Sequence, residues 1–158
     1  SDEIWRYQQV NLGYNYRMTD IQAALGVSQM KRLDEFVVKR HRIAQKYAAA
    51  FKSLSVTVPW QHPDVWSSYH LYPICVQKAN CGKNQAQVSD ALISASINVN
   101  LHYIPVYRQP YYEAMGFKAG YCPQAERYFR ETITLPMFPA LSQVDQESVI
   151  GAVNNLVR

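Results

Sequence analysis

The chain has 158 residues, 48% of them hydrophobic and 18% charged, enough apolar side chain to bury the core of one ordinary domain. Its net charge of +4 suits acidic ligands, yet its one basic cluster, Lys39-Arg40-His41-Arg42, falls inside an amphipathic helical pattern and reads as a solvated charged face, with no zinc-finger, helix-turn-helix or RNA-binding pattern beside it. Cys75, Cys81 and Cys122 are too irregular for a disulfide framework, the four histidines form no metal-ligand pair, and no run approaches the roughly 18 apolar residues of a membrane span, which together argue against nucleic acid, metal and membrane partners and for a reducing cytoplasm.

In chain order, the first feature is a polar, aromatic turn, Asn11-Leu-Gly-Tyr-Asn15-Tyr16-Arg17-Met18, leading into a capped helix. Thr19 followed by Gln22 is a capping box, whose side chains satisfy orphan backbone N–H groups at the helix start. Asn15 and Arg17 then offer an amide and a rigid guanidinium fork beside an anchored terminus, a pairing suited to phosphate or carboxylate. The plainer alternative is that these groups only satisfy local backbone. Helical spacing continues from Thr19 to about Ser53 through Ile21, Ala24, Leu25, Leu33, Phe36, Val37, Ala44, Tyr47, Ala48 and Phe51, with a break near Leu33-Asp34 where Asp34 is a candidate cap. Gly26 within that pattern suggests a close backbone approach to another element.

Strands are predicted at Val56–Val58, Tyr69–Val76 and Ile97–Tyr103, and a brief one at Ile133–Leu135. Pro73 places the second at a sheet edge or a bulge. Asn84 and Gln87 introduce a helix burying Val88, Ala91, Leu92 and Ala95, Pro123 opens another through about Arg130, and Ser142 caps a closing helix with Val149, Ile150, Val153 and Leu156 on its apolar side. Strands separated by helices, too few for a large sheet, predict an α/β chain of α+β character. A long leading helix is followed by helices packed on a three- to four-stranded, mainly antiparallel sheet. Between Tyr103 and Pro123 lies an aromatic-rich loop with Tyr103, Tyr107, Tyr111, Tyr112 and Tyr121, whose rings suit either a ligand cleft and subunit interface or the domain's own core.

The segment Gly13-Tyr-Asn15-Tyr-Arg17-Met18-Thr19-Asp-Ile-Gln22-Ala-Ala-Leu-Gly26 resembles a signature of the pyridoxal-phosphate (PLP) sugar aminotransferases of the DegT/DnrJ/EryC1/StrS family. Ser67-Ser-Tyr-His70-Leu-Tyr-Pro73, Asn100-Leu-His102-Tyr103-Ile-Pro105-Val106-Tyr107, Pro110-Tyr111-Tyr112 and Leu135-Pro136-Met-Phe-Pro139 follow in the family's order. Within the family the pattern is most similar to the branch acting in pseudaminic acid synthesis. The resemblance implies the small domain of a fold-type I aminotransferase, residues 1–18 being a loop left from the large domain and 19–158 the small domain itself. The N-terminal domain with the PLP-binding lysine is expected to be absent. The first residues, Ser1-Asp-Glu-Ile-Trp5, accordingly read as the start of a C-terminal fragment, inactive alone.

The activity so implied is transfer of the amino group of glutamate to a keto nucleotide-sugar, with PLP as cofactor and a homodimer as the working form. By resemblance Asn15 reaches the cofactor phosphate across the dimer interface, Arg17 faces the anionic donor or sugar-nucleotide, and His102 and Tyr103 lie near the sugar-nucleotide. Tyr16 and Tyr107 are further candidates for substrate contact. Read without the resemblance, His102 is a solvated or hydrogen-bonded histidine and Arg17 a partner for Asp20 in an exposed pair worth about 0–1 kcal/mol. Two other functions fit the same residues: a non-catalytic interaction module docking through the tyrosine-rich loop, and the same fold in a sugar dehydratase or aminocyclitol enzyme.

Overall fold

The computed structural model describes Tyr14 and residues 16–157, and Asn15 lies outside the described residues. The chain divides into two units, Ser1–Leu33 and Asp34–Arg158.

In the first unit, helix α1 (Asp20–Met30) starts as the capping box requires. The Thr19 N–H donates to Gln22 Oε1 at 2.9 Å, and the Gln22 N–H donates back to Thr19 Oγ1 at 3.3 Å. None of the helix's residues is buried. Apart from its chain neighbours and the helix's own backbone, no described atom lies within 4 Å of where a Cβ on Gly26 would stand, so the expected close approach is not found among the described residues. A turn at residues 31–32 separates α1 from α2 (Leu33–Phe51), so the predicted break occurs slightly earlier and Asp34 sits in the first turn of α2 instead of capping it.

The second unit is built around three short strands, β1 (Val56–Thr57), β2 (Tyr72–Val76) and β3 (Thr132–Leu135), in the order β1-β2-β3 with both pairings antiparallel. Between β2 and β3 run α3 (Lys78–Cys81), α4 (Gln85–Ser94), a 3-10 turn (Val106–Arg108), α5 (Pro110–Ala114) and α6 (Pro123–Glu131). Helix α7 (Gln143–Leu156) closes the chain. Capping follows the sequence: Asn84 and Gln87 form a second capping box, and Ser142 accepts from the Asp145 N–H. The alternation of β2 sends Tyr72, Ile74 and Val76 into the core, where they join Tyr47 and Phe51 of α2, Val88 and Leu92 of α4, Ile133 and Leu135 of β3, and Val149 and Val153 of α7. Each such side chain contributes about 1.5–3 kcal/mol on burial.

Three strand expectations are corrected. The predicted Ile97–Tyr103 strand is reduced to a single bridge from Asn100 to Thr134, with no strand formed. The second strand starts at Tyr72 because Tyr69 takes a positive φ of 44°, which breaks extended structure. Pro73 lies in the central strand instead of at an edge or bulge. Thr134 exchanges both backbone bonds with Asn100, so its backbone faces away from β2, and Pro73, its register partner, directs its own backbone toward the opposite flank. There β1 has already ended, pairing only with Cys75 and Val76, so no ladder bond is lost at the missing N–H.

Candidate functional site

The turn before α1 presents its groups outward. Tyr14 and Tyr16 stack with centroids 5.2 Å apart and planes 13° from parallel. Arg17 is exposed and forms no ion pair or hydrogen bond among the described residues, Asp20 included. Tyr16, Arg17, Met18, Gln22 and Gly26 line one open depression of about 530 Å³. Because the capping box takes up the Gln22 N–H and Asp20 places a carboxylate in the first turn, the helix dipole there is already answered locally. The group on this turn with charge and donors to spare is the Arg17 guanidinium.

The remaining predicted residues lie in the second unit. His102 is half-buried, and its Nδ1 is 3.0 Å from Thr134 Oγ1 on β3, directly beside the Asn100 bridge. The following peptide, His102-Tyr103, is cis, and Tyr103 is 63% exposed, its ring free to meet a ligand. Tyr107 is used differently. Its hydroxyl donates to Glu126 Oε1 at 2.7 Å and accepts from the Cys122 N–H at 3.2 Å, so its polar end is engaged within the protein. Glu126 also accepts from the Gly120 N–H at 2.7 Å and lies 3.9 Å from Arg108 and 3.7 Å from Arg130. These contacts, with the Tyr107 hydrogen bond foremost, hold the Glu126 carboxyl below the usual carboxylate range.

The tyrosine-rich loop packs largely on itself. Tyr107, Tyr121, Phe117, Tyr112 and Tyr111 follow one another in ring contact at centroid separations of 5.2 to 6.4 Å. Tyr111 and Tyr121 nevertheless keep most of their surface exposed. The loop thus combines an internal aromatic chain with an amphipathic outer surface.

Two features of α2 have no counterpart in the sequence reading. Arg40 and His41, expected on a solvated face, turn inward. Arg40 Nη1 donates to the carbonyls of Tyr69 at 2.8 Å, His70 at 2.9 Å and Met137 at 3.3 Å. His41 is buried, stacks on Trp66 at 3.6 Å and lies edge-on to Tyr69 at 4.8 Å, with Nε2 2.7 Å from the Ser67 carbonyl. The acceptor identifies that nitrogen as the protonated one. The joint hold of Glu126 on Tyr107 and Gly120 was equally silent in the sequence, since it arises from the way the loop folds back on α6.

Lys39 and Lys46 are paired with Glu35 and Glu147, and Lys83 donates to the Leu156 carbonyl at 3.0 Å, so each of these amines already has a partner. Among the described residues no group of His, Cys, Asp and Glu side chains is arranged to hold a metal ion, and no helix is long and apolar enough to cross a membrane.

The chain has similar sequences and folds among known proteins. The chain is 35% identical to the spore coat polysaccharide biosynthesis protein SpsC of Bacillus subtilis over 161 aligned residues, which covers 100% of this chain and 41% of that protein. The sugar aminotransferase Spr1654 of Streptococcus pneumoniae, described as putative and solved in apo, PMP and PLP forms, matches at 29% identity; in the apo form the TM-score is 0.87, over 96% of this chain and 38% of that one. Helicobacter pylori PseC, an aminotransferase of pseudaminic acid biosynthesis, matches at 26% identity and a TM-score of 0.83, over 99% of this chain and 42% of that one. The chain therefore spans about two fifths of the length of these relatives. The profile of the DegT/DnrJ/EryC1/StrS aminotransferases matches residues 2–154, more than nine tenths of the sequence, and the chain belongs to that family.

Proposed function

We propose that this chain is the C-terminal small domain of a PLP-dependent aminotransferase that moves the amino group of glutamate to a keto nucleotide-sugar. In this reading residues 1–18 belong to the active-site turn, 19–158 to the small domain, and the working enzyme is a cytoplasmic homodimer. The observation that carries it is the Arg17 guanidinium, exposed and without a partner among the described residues beside a fixed helix start, in a chain of this family. PLP, when bound, supplies an electron sink for amino-group transfer, and the residues that bind it covalently belong to the portion of the family's length this chain does not span.

The chain's own residues act by binding and orientation. Arg17 pairs with a carboxylate or phosphate through two parallel N–H donors, Asn15 meets the cofactor phosphate, and Tyr16 flanks the same turn. His102 and Tyr103 form the wall beside the sugar-nucleotide, His102 being oriented by Thr134. Tyr107 acts on that wall indirectly, its hydroxyl being engaged by Glu126. A pseudaminic-type 4-keto sugar nucleotide is the favoured acceptor, in line with the similarity to PseC.

In the full-length protein Asn15→Ala is expected to weaken PLP retention, read from the cofactor absorbance after dialysis. Arg17→Ala is expected to raise KM for glutamate or for the sugar-nucleotide by about tenfold, as loss of one charge-assisted pair of 1.5 kcal/mol implies. Unaltered cofactor binding and kinetics in both variants would refute the site.

A further inference from the structure

The stretch from Leu101 to Cys122 is long for a connection inside a small domain, and holding such a chain in one shape requires specific ties. Its entry is tied to β3, where Thr134 takes both backbone groups of Asn100 and the imidazole of His102. Its middle and exit converge on one atom. Glu126 Oε1, on α6, accepts from the Tyr107 hydroxyl and from the Gly120 N–H, both at 2.7 Å, and these two donors stand more than a dozen positions apart in the loop.

The side chain of Glu126 is only 12% exposed, with Arg108 at 3.9 Å from Oε1 and Arg130 at 3.7 Å from Oε2. Arg108 in turn donates from Nε to Glu113 on α5 at 2.8 Å, which brings that short helix into the same network. Gly120 delivers its N–H with φ at +87°, a conformation other residues adopt only under strain. Two short bonds to an ionised carboxylate are stronger than their neutral equivalents, so this is a firm latch on an otherwise exposed loop. Helix α6 runs directly into β3, so one continuous segment fixes both ends of the loop.

We propose that Glu126 is a positioning residue: by latching residues 107 and 120 to α6 it sets where His102 and Tyr103 stand for the sugar-nucleotide. The inference rests on the function proposed above but adds a residue that touches neither substrate nor cofactor. Glu126→Ala frees the loop, whereas Glu126→Gln keeps an amide oxygen where both donors can reach it. Tyr107→Phe removes one of the two ties and leaves the carboxylate in place.

The test uses the full-length protein with three readouts: KM for the nucleotide-sugar, KM for glutamate, and the rate of trypsin cleavage after the exposed Lys118. For E126A the latch requires several-fold faster cleavage at Lys118 and a several-fold rise in KM for the sugar-nucleotide, with KM for glutamate unchanged. Y107F should move the same readouts less far, and E126Q should restore most of both. Cleavage and KM at wild-type values in E126A and Y107F overturn the latch. Faster cleavage with an unmoved KM overturns its link to the substrate, and an equal rise in both KM values without rescue by Gln marks a merely structural glutamate. Should the unaltered enzyme aminate no nucleotide-sugar, the proposed function fails, while Lys118 cleavage still reports whether the loop is latched.

Discussion

Tyr72 is 1% exposed in the core, and its hydroxyl is buried without a hydrogen-bond partner among the described residues. Tyr47, 5.1 Å away, differs in that its hydroxyl donates to the Pro136 carbonyl at 3.0 Å. An unpaired buried hydroxyl costs about 1–3 kcal/mol of desolvation, so Tyr72→Phe is expected to leave stability unchanged or raise it. Tyr47→Phe should instead cost about 1 kcal/mol, the net worth of a hydrogen bond, and urea unfolding of the two variants separates the cases. Arg40 is the converse instance: its three acceptors lie on carbonyls at 69, 70 and 137, so nothing near position 40 announces them. The local pattern showed a basic helix face, and the inward turn of Arg40 and His41 depends on contacts that only the fold creates. The Thr19–Gln22 box, with partners three residues apart, was legible for the opposite reason.

Among the elements, helices were read closely because their signals are local: α4, α6 and α7 begin where Asn84, Pro123 and Ser142 place them. The alternation from Ile97 to Tyr103 is real in the sequence, and Ile97 is buried, but a strand also needs a partner to pair with. Only Thr134 meets it, through Asn100, so the candidate wall at His102 hangs from one bridge instead of a ladder. The end of α4 carries a further consequence. The Ser96 N–H reaches the Ile93 carbonyl and the Ile97 N–H reaches that of Leu92, closing the helix with Ser96 at φ 62°. Glycine adopts that conformation without steric cost, so Ser96→Gly should stabilise the protein by about 0.5–1 kcal/mol in thermal or denaturant unfolding.

At the scale of the whole molecule, the titrating carboxylates set the acid limit. Hydrogen bonds from Tyr107 and Gly120 lower Glu126, and those from Lys46 and Gln143 lower Glu147, which joins α7 to α2. A carboxyl lowered in the folded state adds stability that is complete above its unfolded value of about 4.3 and is lost as pH falls through the folded value. The unfolding midpoint is therefore expected to fall below about pH 4, and E126Q should flatten that decline. At the alkaline end burial raises Tyr47 and Tyr72, so their contribution holds below about pH 10 and erodes above it as the unfolded phenols ionise. Pro73 bears on the fate of such partly unfolded molecules. Past the two-residue β1, the flank of β2 at Pro73 offers a carbonyl but no N–H, so an incoming strand would find its ladder interrupted there. That flank of β2 is thereby a poor template for β-aggregation, and Pro73→Val is expected to shorten the lag of fibril growth in a thioflavin assay.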